Sequence, residues 1–152
     1  VIGWLLDTNV IAALINRNGA PSVKAWAAAQ PEGRLFLSVL TLAEYDQGIH
    51  KLEITHPERS RYIAARDALE ARFAWRILSV GDAVVRRWGA IAGSVRRQTG
   101  HAPPVVDTLM AATAMEAKLF LVTRNIRDVR LSGAAIFNPW DDDPNQFPLA
   151  HP

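Results

Sequence analysis

Ile2-Gly3-Trp4-Leu5-Leu6-Asp7-Thr8-Asn9 decides the fold. An apolar run of five residues is too short for a buried helix and fits a strand covered on both faces. It stops at Asp7-Thr8-Asn9, residue types that cap helices, and Val10 to Asn16 then reads as a helix closed by the turn Arg17-Asn18-Gly19. A strand running straight into a helix is half of a parallel βα unit. The same alternation recurs outward along the chain. Pro21 to Gln30 reads as a helix with proline in its opening turn, and Leu35 to Ser38 as a strand. Thr41 to about Ile54 reads as a helix, and His56-Pro57 begins a long one to about Arg76. Ile77 to Val80 is a strand, and Asp82 to Thr99 a helix stopped by Gly100. Val105 to Lys118 is a helix behind Pro103-Pro104, with Leu119 to Thr123 and Ala135 to Phe137 as the last strands. The pattern predicts an α/β fold: a central, mostly parallel sheet between helical layers, in one domain over 1–140. Residues 141–152, polar and rich in proline, read as an extended or flexible tail.

Composition agrees with a single folded unit. Hydrophobic residues make up 49% and charged residues 21% of the 152, which excludes a disordered chain. There is no cysteine, so disulfide scaffolds, thiolate zinc sites and cysteine nucleophiles are excluded together. No apolar run reaches the ~18 to 20 residues of a membrane span. We therefore expect a cytoplasmic protein without a membrane partner. Net charge is 17 − 15 = +2, but Lys51 to Gly100 holds ten Lys/Arg against five Asp/Glu. Apart from Lys51 the block is all arginine: Arg59, Arg61, Arg66, Arg72, Arg76, Arg86, Arg87, Arg96 and Arg97. It reads either as a polyanion-binding face or as solvated helix surface.

In open α/β sheets ligands bind at the carboxyl ends of the strands. Asp7 follows the first strand, Glu44 opens the helix after the second, and Asp128 follows the strand ending at Thr123. Asp107 lies at the start of the helix feeding that strand. Each acid also has a structural reading. Asp7 can cap a helix, Thr41-Leu42-Ala43-Glu44 spells a capping box, Asp107 suits a helix N-terminus, and Asp128 suits a turn. Gathered at one sheet edge, however, four carboxylates repel unless protons or a cation relieve them. Oxygen donors without cysteine or spaced histidine select a hard ion, Mg²⁺ or Mn²⁺, the usual equipment of phosphodiester chemistry.

Several segments resemble motifs of the PIN-domain family. They are Leu5-Leu6-Asp7-Thr8-Asn9-Val10, Ser38-Val39-Leu40-Thr41-Leu42-Ala43-Glu44 with Gly48-Ile49, Asp107 to Ala114, and Val122-Thr123-Arg124-Asn125-Ile126-Arg127-Asp128. Asn138-Pro139-Trp140 is similar to the ending of the VapC and FitB-like branch. The ordered set runs from Ile2 to Trp140. The resemblance implies a PIN-like three-layer α/β/α sandwich and a Mg²⁺- or Mn²⁺-dependent endoribonuclease. Such a protein is the toxin of a bacterial type II toxin–antitoxin pair, forms homodimers and binds a VapB-like antitoxin. By motif position Asp7, Glu44, Asp107 and Asp128 match the acids that hold one or two metal ions, whose bound water attacks phosphorus to give 3′-hydroxyl and 5′-phosphate products. Thr8, Asn9 and Thr123 match supporting positions. Asn125 stands where some branches carry the fourth acid, and would bind water or orient a neighbour. Val129 replaces a common aromatic residue, a change of volume in the core.

Arg124 and Arg127, close to Asp128, are candidates for RNA phosphate contact. Trp26, Trp75 and Trp88 read as core residues on helices, with a partner groove as the alternative for one or two. His50, His56, His101 and His151 lack metal-ligand spacing, and Asp141-Asp142-Asp143 reads as a solvated acidic tail or a cation site. The rival to the nuclease is a catalytically silent PIN-like module binding RNA or protein. A phosphatase-type fold would want Asp-x-Asp-x-Thr, whereas Asp7-Thr8-Asn9-Val10-Ile11 has neither the second acid nor the threonine.

Overall fold

The computed structural model describes residues 2–145. Five strands, β1 (Trp4–Leu6), β2 (Leu35–Ser38), β3 (Ile77–Leu78), β4 (Phe120–Val122) and β5 (Ile136–Phe137), form one sheet in the order β3-β2-β1-β4-β5. Every pairing is parallel. From the central β1 the chain winds outward through β2 and β3, then returns to the other side for β4 and β5. The strand order therefore reverses between β1 and β4. At such a switch point the loops after neighbouring strands diverge and leave a crevice at the carboxyl edge.

The helices are α1 (Thr8–Ile15), α2 (Pro21–Ala29), α3 (Val39–Lys51), α4 (Arg59–Arg72), α5 (Asp82–Thr99), α6 (Val105–Glu116) and α7 (Ile126–Val129). Alternation along the strands assigns them to layers. Trp4, Leu6, Leu35, Leu37 and Val122 meet Val10 and Ile11 of α1, Val23 and Trp26 of α2, and Leu69 of α4. Leu5 and Leu121, pointing the opposite way, meet Met110, Ala111 and Ala114 of α6. Behind α6 lies α5, whose Val84, Ile91 and Val95 pack with Ala112. The result is the three-layer α/β/α sandwich with a parallel sheet. Trp4 is the hub of the first layer, edge-on to Trp26 at 5.2 Å between centroids. Its indole N–H is satisfied by Gln30 Oε1 at 3.1 Å.

Gly19 is required by space. A Cβ there would stand 1.9 Å from the carbonyl oxygen of Ala13, so only glycine lets the chain fold back under α1. Gly100 ends α5 in the left-handed region, φ 79°.

The structure departs from expectation at four places. Helix α3 begins at Val39 with Ser38 as its cap, Ser38 Oγ accepting from Leu40 N at 3.0 Å. Thr41 is thus inside the helix and the capping box is not formed. The helix expected from Pro57 to Arg76 starts at Arg59 and ends at Arg72. Phe73 turns into the core, Arg76 N bonds Phe73 O, and Arg76 O accepts from Leu37 N of β2. That turn leaves Trp75 98% exposed, off any helix and out of the core. A short helix, α7, occupies Ile126–Val129 where a turn was expected. Finally, the start of the tail is tied down. Asn138 N donates to Asp142 Oδ2 at 2.7 Å and Asn138 Nδ2 to Asp141 Oδ2 at 3.2 Å. The expectation of an extended or flexible tail beyond residue 145 lies outside the described residues.

Candidate active site

Asp7 is the first residue past β1. Its backbone N–H continues the sheet to Val122 O, and its carbonyl accepts the first helical bonds of α1. The residue is only 7% exposed, and its carboxylate is held at both oxygens. Oδ1 caps α1 by accepting from Thr8 N at 2.8 Å. Oδ2 accepts from Asn9 Nδ2 at 3.1 Å and Thr123 Oγ1 at 2.7 Å.

The supporting side chains are used to capacity. Thr123, fully buried after β4, donates to Asp7 and accepts from Asn9 Nδ2 at 3.1 Å and Asn125 N at 3.0 Å. That accounts for one hydroxyl proton and two lone pairs. Asn9 Oδ1 accepts from Arg124 N at 3.2 Å, which orients the amide so that both its protons face Asp7 and Thr123. Asn9 and Thr123 thus cross-link the β1 and β4 loops at the switch point.

Glu44 lies in the second turn of α3, not the first. Its Oε1 accepts from Thr8 Oγ1 at 3.0 Å. Since Thr8 spends its proton there, the 3.0 Å contact between Thr8 Oγ1 and Thr41 Oγ1 has Thr41 donating. Thr41 is a supporting residue that the sequence reading assigned to a cap. Its spacing of three from Glu44 places both on one helix face, which was the available signal. Gln47, three further on, lines the cleft for the same reason.

Asp107 sits in the first turn of α6, and Asp128 in α7. Asn125 stands between them, its Nδ2 donating to Asp107 Oδ2 at 3.3 Å and Asp128 Oδ2 at 2.8 Å. Asn125 therefore orients the two acids rather than replacing one.

Asp7, Glu44 and Asp107 line a common cleft of about 500 Å³, and Asp128 stands at its side behind Asn125. Burial raises the pKa of Glu44 above its ordinary value. The Thr8 hydrogen bond opposes that, and the charges of Asp7 and Asp107 add to it. Asp107 is raised by burial and then by the charges of Asp7 and Asp128. The acids thus feel one another, although among the described residues no three of them converge closely enough to hold an ion unaided.

The candidate phosphate contacts divide. The Arg124 guanidinium lies over the Trp140 ring at 5.2 Å, whereas Arg127 lines a second cavity beyond Asp128. Much of the basic block is neutralised. Arg61 pairs with Glu58, Arg66 with Asp46 and Asp67, Arg72 and Arg76 with Glu32, Arg86 with Asp82, and Arg87 with Glu116. Those arginines are solvated or bridging structure. Among the described residues no helix is long and apolar enough to cross a membrane.

A family model described as "PIN domain" matches residues 4–133. The toxin FitB of Neisseria gonorrhoeae is 29% identical over 138 residues, spanning 91% of this chain and 99% of that protein. A VapC ribonuclease of Sinorhizobium fredii is 28% identical over 141 residues, spanning 90% and 97%. The crystal structure of FitAcB from Neisseria gonorrhoeae superposes with a TM-score of 0.78 at 28% identity, over 91% of this chain and 99% of the other. A VapBC toxin–antitoxin structure from Mycobacterium tuberculosis gives 0.64 at 25% identity, over 90% and 97%.

Proposed function

From the premise that this chain belongs to the PIN-domain family, we propose that it is a Mg²⁺- or Mn²⁺-dependent endoribonuclease, the toxin of a pair with a VapB-like antitoxin. The observation that carries the reading is the meeting of Asp7, Glu44 and Asp107 in one cleft, with Asp128 tied in through Asn125. The donor set fits a hard cation: it is all oxygen, and Glu44 and Asp107, raised by burial first and then by the neighbouring carboxylates, have few donors of their own to compensate them. Spread rather than convergent acids suit an ion that keeps much of its own water shell, as Mg²⁺ does. When bound, such an ion lowers the pKa of its water and offsets charge on the phosphate.

The chain's residues divide the remaining work. Asp7, Glu44 and Asp107 would hold the ion, with Asp128 adding charge at the far edge. Thr8 positions Glu44, and Asn9 with Thr123 position Asp7. The hydroxyls of Thr8 and Thr123 are committed to these carboxylates, so neither is free to attack phosphorus, which fits the proposed water nucleophile. Relatives solved as toxin–antitoxin complexes support a protein partner for this chain; a homodimer is the assembly we propose with it.

The test is cleavage of total RNA by the purified chain and by Asp7→Asn, in Mg²⁺, Mn²⁺ or EDTA. We expect cleavage by the parent alone, abolished by EDTA. Cleavage by Asp7→Asn at the parental rate, or cleavage indifferent to EDTA, overturns the proposal. A folded, antitoxin-free parent that cuts nothing would move the reading to a silent RNA- or protein-binding module.

A further inference from the structure

Beyond Asp128, on the side away from the acidic cleft, lies a cavity of about 280 Å³ between α5, the start of α6 and the segment 127–132. Its walls are of two kinds. Ile91 and Val95 of α5, both buried, and Leu131, 42% exposed, make an apolar side. Arg127 and Arg130 make a cationic one.

Three observations say what belongs there. First, the cavity is tied to the site through shared side chains. Asp128 lines it, and the Asn125 amide that holds Asp128 also holds Asp107. Second, its arginines are free. Six arginines of the basic block are ion-paired, but Arg127 and Arg130 have no carboxylate partner among the described residues. Two unpaired guanidinium groups outweigh the single carboxylate of Asp128 and favour an anion, phosphate above all. Third, an anion alone has no use for an apolar wall, whereas an unpaired base laid on apolar or aromatic side chains gains contact energy.

We propose that this cavity is a subsite for one unpaired nucleotide of the RNA strand adjoining the cleaved bond. Its base lies against Ile91, Val95 and Leu131, and its phosphate between Arg127 and Arg130. The proposal rests on the ribonuclease reading for its biological meaning, but the site itself is testable without cleavage. It also separates two arginines that the sequence made equivalent. Arg127 contacts substrate, whereas Arg124 is engaged with Trp140.

The experiment is a titration of methyl-labelled protein in EDTA with each of the four nucleoside 5′-monophosphates, and with inorganic phosphate as control. We expect at least one nucleotide to shift the Ile91, Val95 and Leu131 methyls, and phosphate alone to leave them in place. Leu131→Glu, a change at an exposed position that should leave the fold intact, is expected to weaken nucleotide binding at least tenfold. Arg130→Ala should weaken it several-fold and reduce its salt dependence. Methyls unmoved by every nucleotide, or moved equally by phosphate, overturn the subsite. So does Leu131→Glu binding as the parent does, and the cavity is then left to a protein partner. The two readings fail separately. Nucleotide binding without RNA cleavage sinks the nuclease and leaves the subsite, and cleavage without methyl shifts does the reverse.

Discussion

Asp7 and the pair Glu44 and Asp107 are the same chemical group in the same cleft, yet the fold treats them differently. Asp7 is almost fully buried and receives three hydrogen bonds, from Thr8 N, Asn9 and Thr123. Glu44 receives one, from Thr8, and Asp107 a single long one of 3.3 Å from Asn125. Burial therefore raises Glu44 and Asp107, with little hydrogen bonding to oppose it. Asp7 is a structural carboxylate as well as a site residue: it caps α1, closes the β1–β4 seam, and faces the cleft. Glu44 and Asp107 carry charge that the protein does not balance for itself. A residue of the first kind serves stability and function together. Residues of the second kind cost stability and are explained by what they would bind.

The largest effect that could break this contrast is on cleavage. Asp7→Asn, Glu44→Gln and Asp107→Asn should each lower RNA hydrolysis ~10³-fold, about 4 kcal/mol of transition-state stabilisation. Their stabilities should then diverge. Asp7→Asn turns an amide donor toward the donors of Asn9 and Thr123 and should cost about 2 kcal/mol. Glu44→Gln and Asp107→Asn should leave the melting temperature in EDTA unchanged or slightly raised. If all three variants melt lower by similar amounts, the division into anchored and uncompensated acids is wrong.

Thr123→Val sharpens the contrast by removing the anchor and leaving the acid. The methyl fills the hydroxyl's space but strands Asn9 Nδ2 and Asn125 N and takes a charge-assisted bond from Asp7. We expect a loss of about 2 kcal/mol, read as a fall in Tm of about 4 to 8 °C for a chain of this size. Thr8→Val removes the bond to Glu44 and the acceptor of the Thr41 hydroxyl, but strands no backbone N–H and leaves Asp7 its partners, and should cost about half as much. A Thr8→Val effect equal to that of Thr123→Val would mean that Glu44 is anchored as firmly as Asp7.

The anchored half was the more legible in sequence, and the reason is local. Asp7-Thr8-Asn9 follows a short apolar run, so strand end, helix cap and first acid are adjacent in the chain, and the α/β alternation places them at the carboxyl edge. The uncompensated half depends on contacts between distant segments. Thr41 looked like a cap because its spacing to Glu44 suits a capping box, and the competing cap, Ser38, wins because the strand ends there. Trp75 looked like core on a helix. The helix stops at Arg72 because Arg76 is drawn to Glu32, its Nη1 to Glu32 O and its Nη2 to Glu32 Oε1. Those groups lie more than forty residues away, and no periodicity reports them. Helix α7 was missed because four residues carry no period, although Asn125 and Asp128 were both singled out within its reach. That Asn125 bridges two acids was not readable from spacing, because Asp107 and Asn125 are eighteen residues apart.

The smallest expected effect is on the pH dependence of stability in EDTA, where two kinds of carboxylate pull in opposite directions. Glu44 and Asp107 have folded pKa values above their ordinary 4.5 and 3.8. Between the ordinary and folded values the native state binds more protons than the unfolded one, so their burden is full above the folded pKa and lifts as pH falls through it. Glu32 is the reverse. The Arg72 hydrogen bond chiefly, together with Arg76, lowers its pKa below 4.5 against a smaller effect of burial. Its contribution is present above 4.5 and is lost as pH falls through the lowered value. Urea midpoints should therefore rise as pH drops from neutral toward the Glu44 window, then fall at lower pH. Glu44→Gln should flatten the rise by at most about 0.5 kcal/mol, since a half-exposed carboxylate is screened by solvent. Glu32→Gln should flatten only the acid-side fall. If Glu44→Gln left the neutral-to-acid rise intact, the uncompensated charge would have to reside on Asp107 alone.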